Sequence, residues 1–309
     1  MKKILILIGV VIFLTACTQH VRDEDNRVVR VEETGQNLTA NILCRPESEE
    51  MLKLYEEHSE NLPNQIEDLP SCKEFRINSS GYSGLWETIF VRPLAWLILT
   101  IGQLVRNYGL SVMIVGLLIR LAMLPLSLKT ARQSEVMKKV QPEMAKIEKK
   151  YKDKKDSASM MAKSQETMMI YKKYKVSPLS GCLMAFVQLP IFFAFLEAIN
   201  RVPAIFEDNF LTLNLGTTPW IGIGNGQYLY IVLIALIIGT TYFAFKNTMS
   251  SGAAGTGKMG AQMQFMGKFM IIFISIISLS LPTAIALYWT VTNGFAVVQN
   301  LIVKRGMEK

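Results

Sequence analysis

Residues 110–128 read LSVMIVGLLIRLAMLPLSL, nineteen positions with a single charge, Arg120. A run of about 20 predominantly apolar residues matches a hydrocarbon core roughly 30 Å thick, so the stretch predicts a membrane span. At about 1.5 Å rise per residue, a straight helix sets the guanidinium roughly 15 Å from one end and 12 Å from the other. An arginine near a helix end can snorkel to the interface, whereas one at this depth has too short a stem. Its placement there costs about 2.5–3.5 kcal/mol on insertion scales. Arg120 is therefore expected to face water or a polar group within the bilayer, which makes it a functional candidate.

Working outward, half of the 309 residues are apolar, and they fall in long blocks separated by charged ones. That is the pattern of a polytopic membrane protein and excludes an ordinary soluble globule. The net charge of +8 is strongly partitioned. Residues 18–80 hold 7 basic and 14 acidic side chains, whereas 129–175 hold 14 basic and 6 acidic. Such asymmetry orients a membrane protein, and no direct nucleic-acid binding is predicted from it. At the N-terminus, Lys2 and Lys3 precede the apolar run Ile4–Phe13 and then Leu14-Thr15-Ala16-Cys17. A short apolar region behind a basic start reads as a secretory signal, residues 1–16. The Leu-Thr-Ala-Cys ending is similar to a bacterial lipobox, which implies lipidation at Cys17; ordinary cleavage or an uncleaved anchor is the alternative.

Residues 17–83 form an acidic, small, partly ordered extracytoplasmic segment in this reading, with one helix across Glu47–Glu60 and linker around Pro63 and Pro70. Cys44 and Cys72 lie in that exported part, where a disulfide is chemically permitted, although spacing alone does not bring them together. Cys182 stands in an apolar run and reads as a buried thiol. No zinc spacing, phosphate loop or nucleophile elbow is present, so no metal, cofactor or enzymatic chemistry is expected.

The fold class is all-α integral membrane protein, with five transmembrane helices, an outer interfacial amphipathic helix and a cytoplasmic helical hairpin. Residues 84–106 are read as the interfacial helix, because Glu87, Arg92 and Pro93 interrupt its apolar run while Trp86 and Trp96 suit the headgroup level. The spans are 107–128, 177–201, 227–246, 266–281 and 283–303; Pro282 divides a 35-residue uncharged run too long for one helix. This order places 129–176, the linker 247–265 and the C-terminus in the cytoplasm, and the positive-inside rule holds at every loop. Within the hairpin, Met137, Val140, Met144, Ile147 and Tyr151 recur at spacings of 3 and 4, a narrow helix seam. Met161, Met168 and Tyr171 follow on a second helix, where the methionines offer either an adaptable binding surface or packing for the seam.

Two further polar side chains stand out inside the spans. Gln188 lies two residues before Pro190, which frees the Phe186 carbonyl, and it either hydrogen-bonds a neighbouring helix or faces a cavity. Trp289 sits about six residues inside the fifth span, deeper than an interfacial tryptophan. Gly116 and Ser127 share the Arg120 face at i−4 and i+7 and leave room there. Glu197 and Arg201, one turn apart, read as an i,i+4 surface pair. The spans hold no midplane carboxylate to answer Arg120.

Three stretches closely resemble the YidC/Oxa-type membrane protein insertases: NYGLSVMIVGLLIRLAMLPLSLKTARQSEVMKKVQPEMAKI, YKKYKVSPLSGCLMAFVQLPIFFAFLEAI and LPTAIALYWTVTNGFAVVQNLIVKR. The likeness runs in order from about residue 84 to 309, the implied core, and the lipobox is similar to the Gram-positive lipoprotein branch. It implies a hydrated, positively charged groove open to cytoplasm and lipid, with Arg120 (IRLAMLPL), Gln188 (VQLPIF) and Trp289 (LYW) as substrate-groove residues. The expected function is insertion and folding of membrane proteins in the cell membrane, by a multi-pass protein lipid-anchored at an extracytoplasmic N-terminus. Expected partners are nascent membrane proteins with short hydrophilic outer segments, membrane lipids, a Sec translocon and the ribosome. The acidic segment with its cysteine pair departs from the family pattern, and the short tail KRGMEK weakens the case for ribosome binding. The rival reading is a small-solute or anion transporter that uses Arg120 as a binding charge; the five spans show no inverted repeat of the kind common in transporters.

Overall fold

The structure is a computed structural model that describes residues 18–79, 84–154, 156–177, 180–252 and 257–308, without the side chains of 180–186, 247–252, 257–264, 266, 307 and 308. The expected leader 1–16 with Cys17 and the side chain of Cys182 lie outside the described residues.

In chain order the helices are α1 (Glu49–Glu57), α2 (Arg92–Val105), α3 (Tyr108–Ala122), α4 (Leu124–Lys150), α5 (Ser157–Lys173), α6 (Ser180–Asn200) and α7 (Pro203–Phe206). After a two-stranded hairpin, β1 (Asn209–Phe210) and β2 (Leu213–Asn214), come α8 (Pro219–Gly224), α9 (Leu229–Gly252), α10 (Gly257–Ile277) and α11 (Thr283–Glu308). The protein is mostly helical. Among the described residues, Glu87–Val105 and Leu229–Lys246 are each long and apolar enough to cross a membrane, and α3 with α4 makes a third if that bent pair is one span. The chain divides into two compact units, Met1–Leu118 with Leu189–Ile234 and Ser278–Trp289, and Ile119–Gln188 with Ala235–Ile277 and Thr290–Lys309.

In the first unit, residues 18–79 build a small core of their own. Isolated antiparallel bridges His20–Thr39, Arg22–Val28 and Arg30–Asn37 turn the chain back on itself. They bring Val21, Val31, Leu38, Ala40 and Ile42 against Tyr55 and Leu69, all buried. The helix expected across Glu47–Glu60 is the shorter α1. Ser48 caps its first turn by accepting from the Met51 N–H, and Glu49 and Glu50 complement the positive end of its dipole. Buried Tyr55 donates its hydroxyl to the Thr39 carbonyl at 2.8 Å, fastening α1 to the bridged turns. The expected linker around Pro63 and Pro70 contains a 3₁₀ turn, Ile66–Asp68, and a buried Leu69. A disulfide joins Cys44 to Cys72 across 28 positions, with Cα atoms 4.9 Å apart. Closing a loop of that length contributes about 3–4 kcal/mol in the chain-entropy account.

A π-helical turn, Glu87–Val91, leads into α2, whose Arg92, Ala95, Ile98, Leu99 and Gly102 are buried on one face. Arg106 ends α2 in the left-handed region, φ 56°, with its N–H on the Gly102 carbonyl. The chain folds back tightly there: a Cβ on Gly102 would come within 2.2 Å of the Tyr108 ring, and the Ser111 hydroxyl donates to the Ile98 carbonyl.

In the second unit, α4 and α5 form a hairpin. The five seam residues Met137, Val140, Met144, Ile147 and Tyr151 are all buried, and Tyr171 and Val176 close the far side. Helical backbone also extends further than expected around 247–265. There α9 continues to Gly252 and α10 starts at Gly257; residues 253–256 lie outside the described residues. Propagation adds a hydrogen bond per residue once a helix is nucleated, and an apolar span supplies the nucleus.

Candidate functional site

The straight span expected over 110–128 is replaced by two helices. Pro125 has no N–H to offer and its ring crowds the carbonyl four residues earlier, so α3 stops at Ala122 and α4 restarts at Leu124. The two are bent by 67°. With 15 residues, α3 is about 22 Å long and falls short of a 30 Å core by itself. Arg120 therefore occupies the last turn of α3, one turn before the bend, instead of the middle of a straight rod. It is half-buried there. A cation at this position also meets the negative end of the helix dipole, a contribution of about 0.3–1 kcal/mol.

The bend changes the face that Arg120 shares with its neighbours. Ser127 no longer stacks above it at i+7; it lies beyond the break, buried, with its one hydroxyl proton directed to Gln299 Oε1 at 2.9 Å. Gly116 is buried. A second interhelical bond runs from Asn293 Nδ2 to the hydroxyl of buried Thr241 at 2.9 Å.

Gln188 belongs to the same compact unit as Arg120. It is half-buried on α6, two residues before Pro190, which removes an N–H from inside that helix. Its Oε1 is shielded from solvent and has no hydrogen-bond partner among the described residues. A buried acceptor left in that state costs about 1–3 kcal/mol. Trp289 falls in the other unit, on α11. It is buried and its ring stacks on Phe192 with centroids 5.5 Å apart, beside a second stack of Tyr288 on Phe195. Its structural surroundings are thus those of a packed aromatic.

A largely buried charge network, missed at the level of sequence, lies within the first unit. Arg92 pairs with Glu87 at 2.8 Å, and Arg201 pairs with both Glu87 at 2.6 Å and Glu197 at 3.1 Å. The Trp86 indole N–H donates to Glu197 at 2.9 Å. Arg92, Glu197 and Arg201 are only 4, 6 and 5% exposed, which corrects the reading of Glu197 and Arg201 as a surface pair. Charges at such depth survive by mutual pairing. The same Arg201 donates its Nε–H to the Asn41 carbonyl and accepts from the Leu43 N–H, so the network also holds the disulfide-bearing segment. The signal available in the sequence was the interruption of two apolar runs by Glu87 with Arg92 and by Glu197 with Arg201.

On the hairpin, Glu143 accepts from Lys173 and Tyr174, and Glu166 accepts from Lys150 and Tyr151. These contacts hold both carboxyls below their usual range; the hydrogen bond from Tyr174 is the largest cause at Glu143 and that from Lys150 at Glu166. Of the three second-helix residues expected at the seam, Met161, Met168 and Tyr171, Tyr171 packs into it, with Ile170 beside it. Met161 and Met168 turn outward, and with Met160 and Met169 they make an exposed apolar strip flanking Ser164 and Gln165.

A helical membrane protein with an arginine at the end of a broken apolar helix is the class these features define. Residues 100–309 match the family model described as "60Kd inner membrane protein". The chain is 37% identical over 227 residues to the membrane protein insertase YidC of Oceanobacillus iheyensis, covering 72% of this chain and 85% of that one. It is 39% identical over 223 residues to YidC 2 of Bacillus anthracis, with 72% and 82% covered. Against the insertase MisCA of Bacillus subtilis it is 36% identical over 220 residues, with 71% and 79% covered. The chain belongs to the 60Kd inner membrane protein family, the YidC/Oxa-type membrane insertases, which are not enzymes.

Proposed function

We propose that the protein inserts membrane proteins and helps them fold through a hydrated, positively charged intramembrane groove. The observation that carries the reading is Arg120, the one charge of an otherwise apolar helix, in the region shared with the insertase relatives. A substrate's hydrophilic outer segment, often acidic, enters from the cytoplasm and is attracted by Arg120. Gln188 offers it a hydrogen-bond acceptor, and Trp289 is the aromatic residue assigned to substrate contact by the family likeness. Hydration lowers the cost of carrying polar groups halfway across, while the substrate's apolar helix slides against lipid-facing helices. Burial of that helix, at about 25 cal/mol per Å² of apolar surface, drives the step.

In this account the chain has five spans, with the helix at 84–106 lying in the outer interface. Residues 17–83 stand outside, anchored through a lipidated Cys17, and the C-terminus is cytoplasmic. The hairpin receives the substrate first. Its four outward methionines, unbranched and polarizable, suit apolar segments of varied shape. The Sec translocon and the ribosome are the neighbouring machines from which substrates arrive. The test is crosslinking of stalled nascent chains to a cysteine placed beside Gln188. Crosslinks to the substrate's outer segment support the groove; solute uptake by purified protein in liposomes, without such crosslinks, supports a transporter instead.

A further inference from the structure

The segment that departs from the family pattern carries a cleft of its own. It has a volume of about 860 Å³ and lies between α1 and the Ile66–Asp68 turn, within residues 45–73. That volume falls in the range of roughly 300–1,000 Å³ common to ligand clefts. Leu52, Leu62 and Ile66 give it aliphatic walls, and Glu56, Glu60 and Glu67 stand exposed around them. Two cations also line it: Lys73, which is paired with Glu47 at 3.0 Å, and Arg45. With that pair neutralised, three carboxylates face one guanidinium, and the rim is acidic. The carboxylates are spread along the cleft, and no group of three metal-ligating side chains occurs among the described residues.

The cleft is built and held. Its α1 wall is fixed by the Tyr55–Thr39 bond and by Glu207, which accepts from the Glu47 N–H. The turn after α1 is tied by Asn61, whose Nδ2 donates to the Arg22 carbonyl. The Cys44–Cys72 disulfide lies beside Arg45, Ser71 and Lys73 at the opposite end. Rigid walls reduce the ordering cost of binding, so a short ligand can be held there.

We infer that this cleft docks a short, extended, basic peptide segment, with an aliphatic side chain against Leu52, Leu62 and Ile66 and lysine or arginine side chains on Glu56, Glu60 and Glu67. An aliphatic floor with an acidic rim is complementary to that chemistry and repels an acidic segment. The identification of the ligand as part of an exported polypeptide rests on the orientation proposed above, with residues 17–83 outside; the binding itself does not. Substrates with acidic outer segments would therefore pass this site, and basic ones would be retained at it.

The experiment is fluorescence anisotropy of two labelled seven-residue peptides, one alternating lysine with valine and one alternating glutamate with valine, on the full-length protein in uncharged detergent. Wild type should prefer the lysine peptide at least tenfold. The triple variant Glu56→Lys, Glu60→Lys, Glu67→Lys, altered only at exposed positions, should lose that preference or invert it. Arg120→Glu should bind the lysine peptide as wild type does, which separates this site from the groove. Equal binding of both peptides, binding no stronger than to empty micelles, or an unchanged preference in the triple variant overturns the inference.

Discussion

The Ser127 hydroxyl donates to Gln299 Oε1 at 2.9 Å, joining helices 172 positions apart just beyond the break that follows Arg120. Both side chains are buried. Pro125 permits the bend, and this bond gives its far arm a fixed place on α11. The course of the chain just past Arg120 therefore depends on a hydroxyl outside the helix that carries the guanidinium.

Replacing Ser127 with Ala leaves Gln299 Oε1 buried without its donor, at a cost of about 1–3 kcal/mol. The variant should unfold at lower temperature in detergent and insert substrates less well, while Ser127→Thr, which keeps the hydroxyl, should retain most of both. Indistinguishable melting of Ser127→Ala and wild type would show that the bond does not hold the arm.

The Glu87–Arg92–Glu197–Arg201 network predicts a larger effect. Arg201→Met removes the cation shared by buried Glu197 and partly buried Glu87 and should cost about 3–5 kcal/mol. Because Arg201 also bonds Asn41 and Leu43, residues 18–79 should become sensitive to limited proteolysis in this variant. The double variant Glu197→Gln, Arg201→Gln should be less damaged than Arg201→Met, since it does not leave Glu197 charged and unanswered.

How much of this was readable in advance differs from element to element. The helical class and the hairpin seam lie in local periodicity: spacings of 3 and 4 place Met137 to Tyr151 on one face whatever else the chain does. The bend at Met123 was missed, because a proline near the end of an apolar run is compatible with either a kinked span or a straight one. The core of residues 18–79 was missed for another reason. Val21, Val31 and Leu38 have no helical or strand period, since single bridges and not ladders bring them together. The charge network joins two pairs about 110 positions apart, as in the Trp86–Glu197 bond, so neither pair announces its partner. Of the groove candidates, Arg120 and Gln188 stood out by polarity in an apolar context. Trp289 had only a weak motif behind it.

The hairpin should respond to acid. Glu143 and Glu166 have folded-state values below the ordinary 4.5, so their contribution is present above that pH and is lost as pH falls through the lower folded values. Spin labels at Lys149→Cys and Gln165→Cys should report one distance distribution above about pH 5 and one that broadens only as pH falls below that, through the lower folded values. With Glu143→Gln and Glu166→Gln added, the acid step should disappear, whereas the buried seam keeps the neutral-pH distribution close to that of wild type.

The central claim is that the positive charge of Arg120 draws acidic outer segments into the membrane. Insertion of a substrate with an acidic outer segment should be measured in cells whose only insertase of this family is wild type, Arg120→Lys or Arg120→Glu. The account predicts insertion close to wild type with lysine and a block with glutamate, relieved when the substrate's acidic residues are neutralised. Full insertion by Arg120→Glu would contradict it.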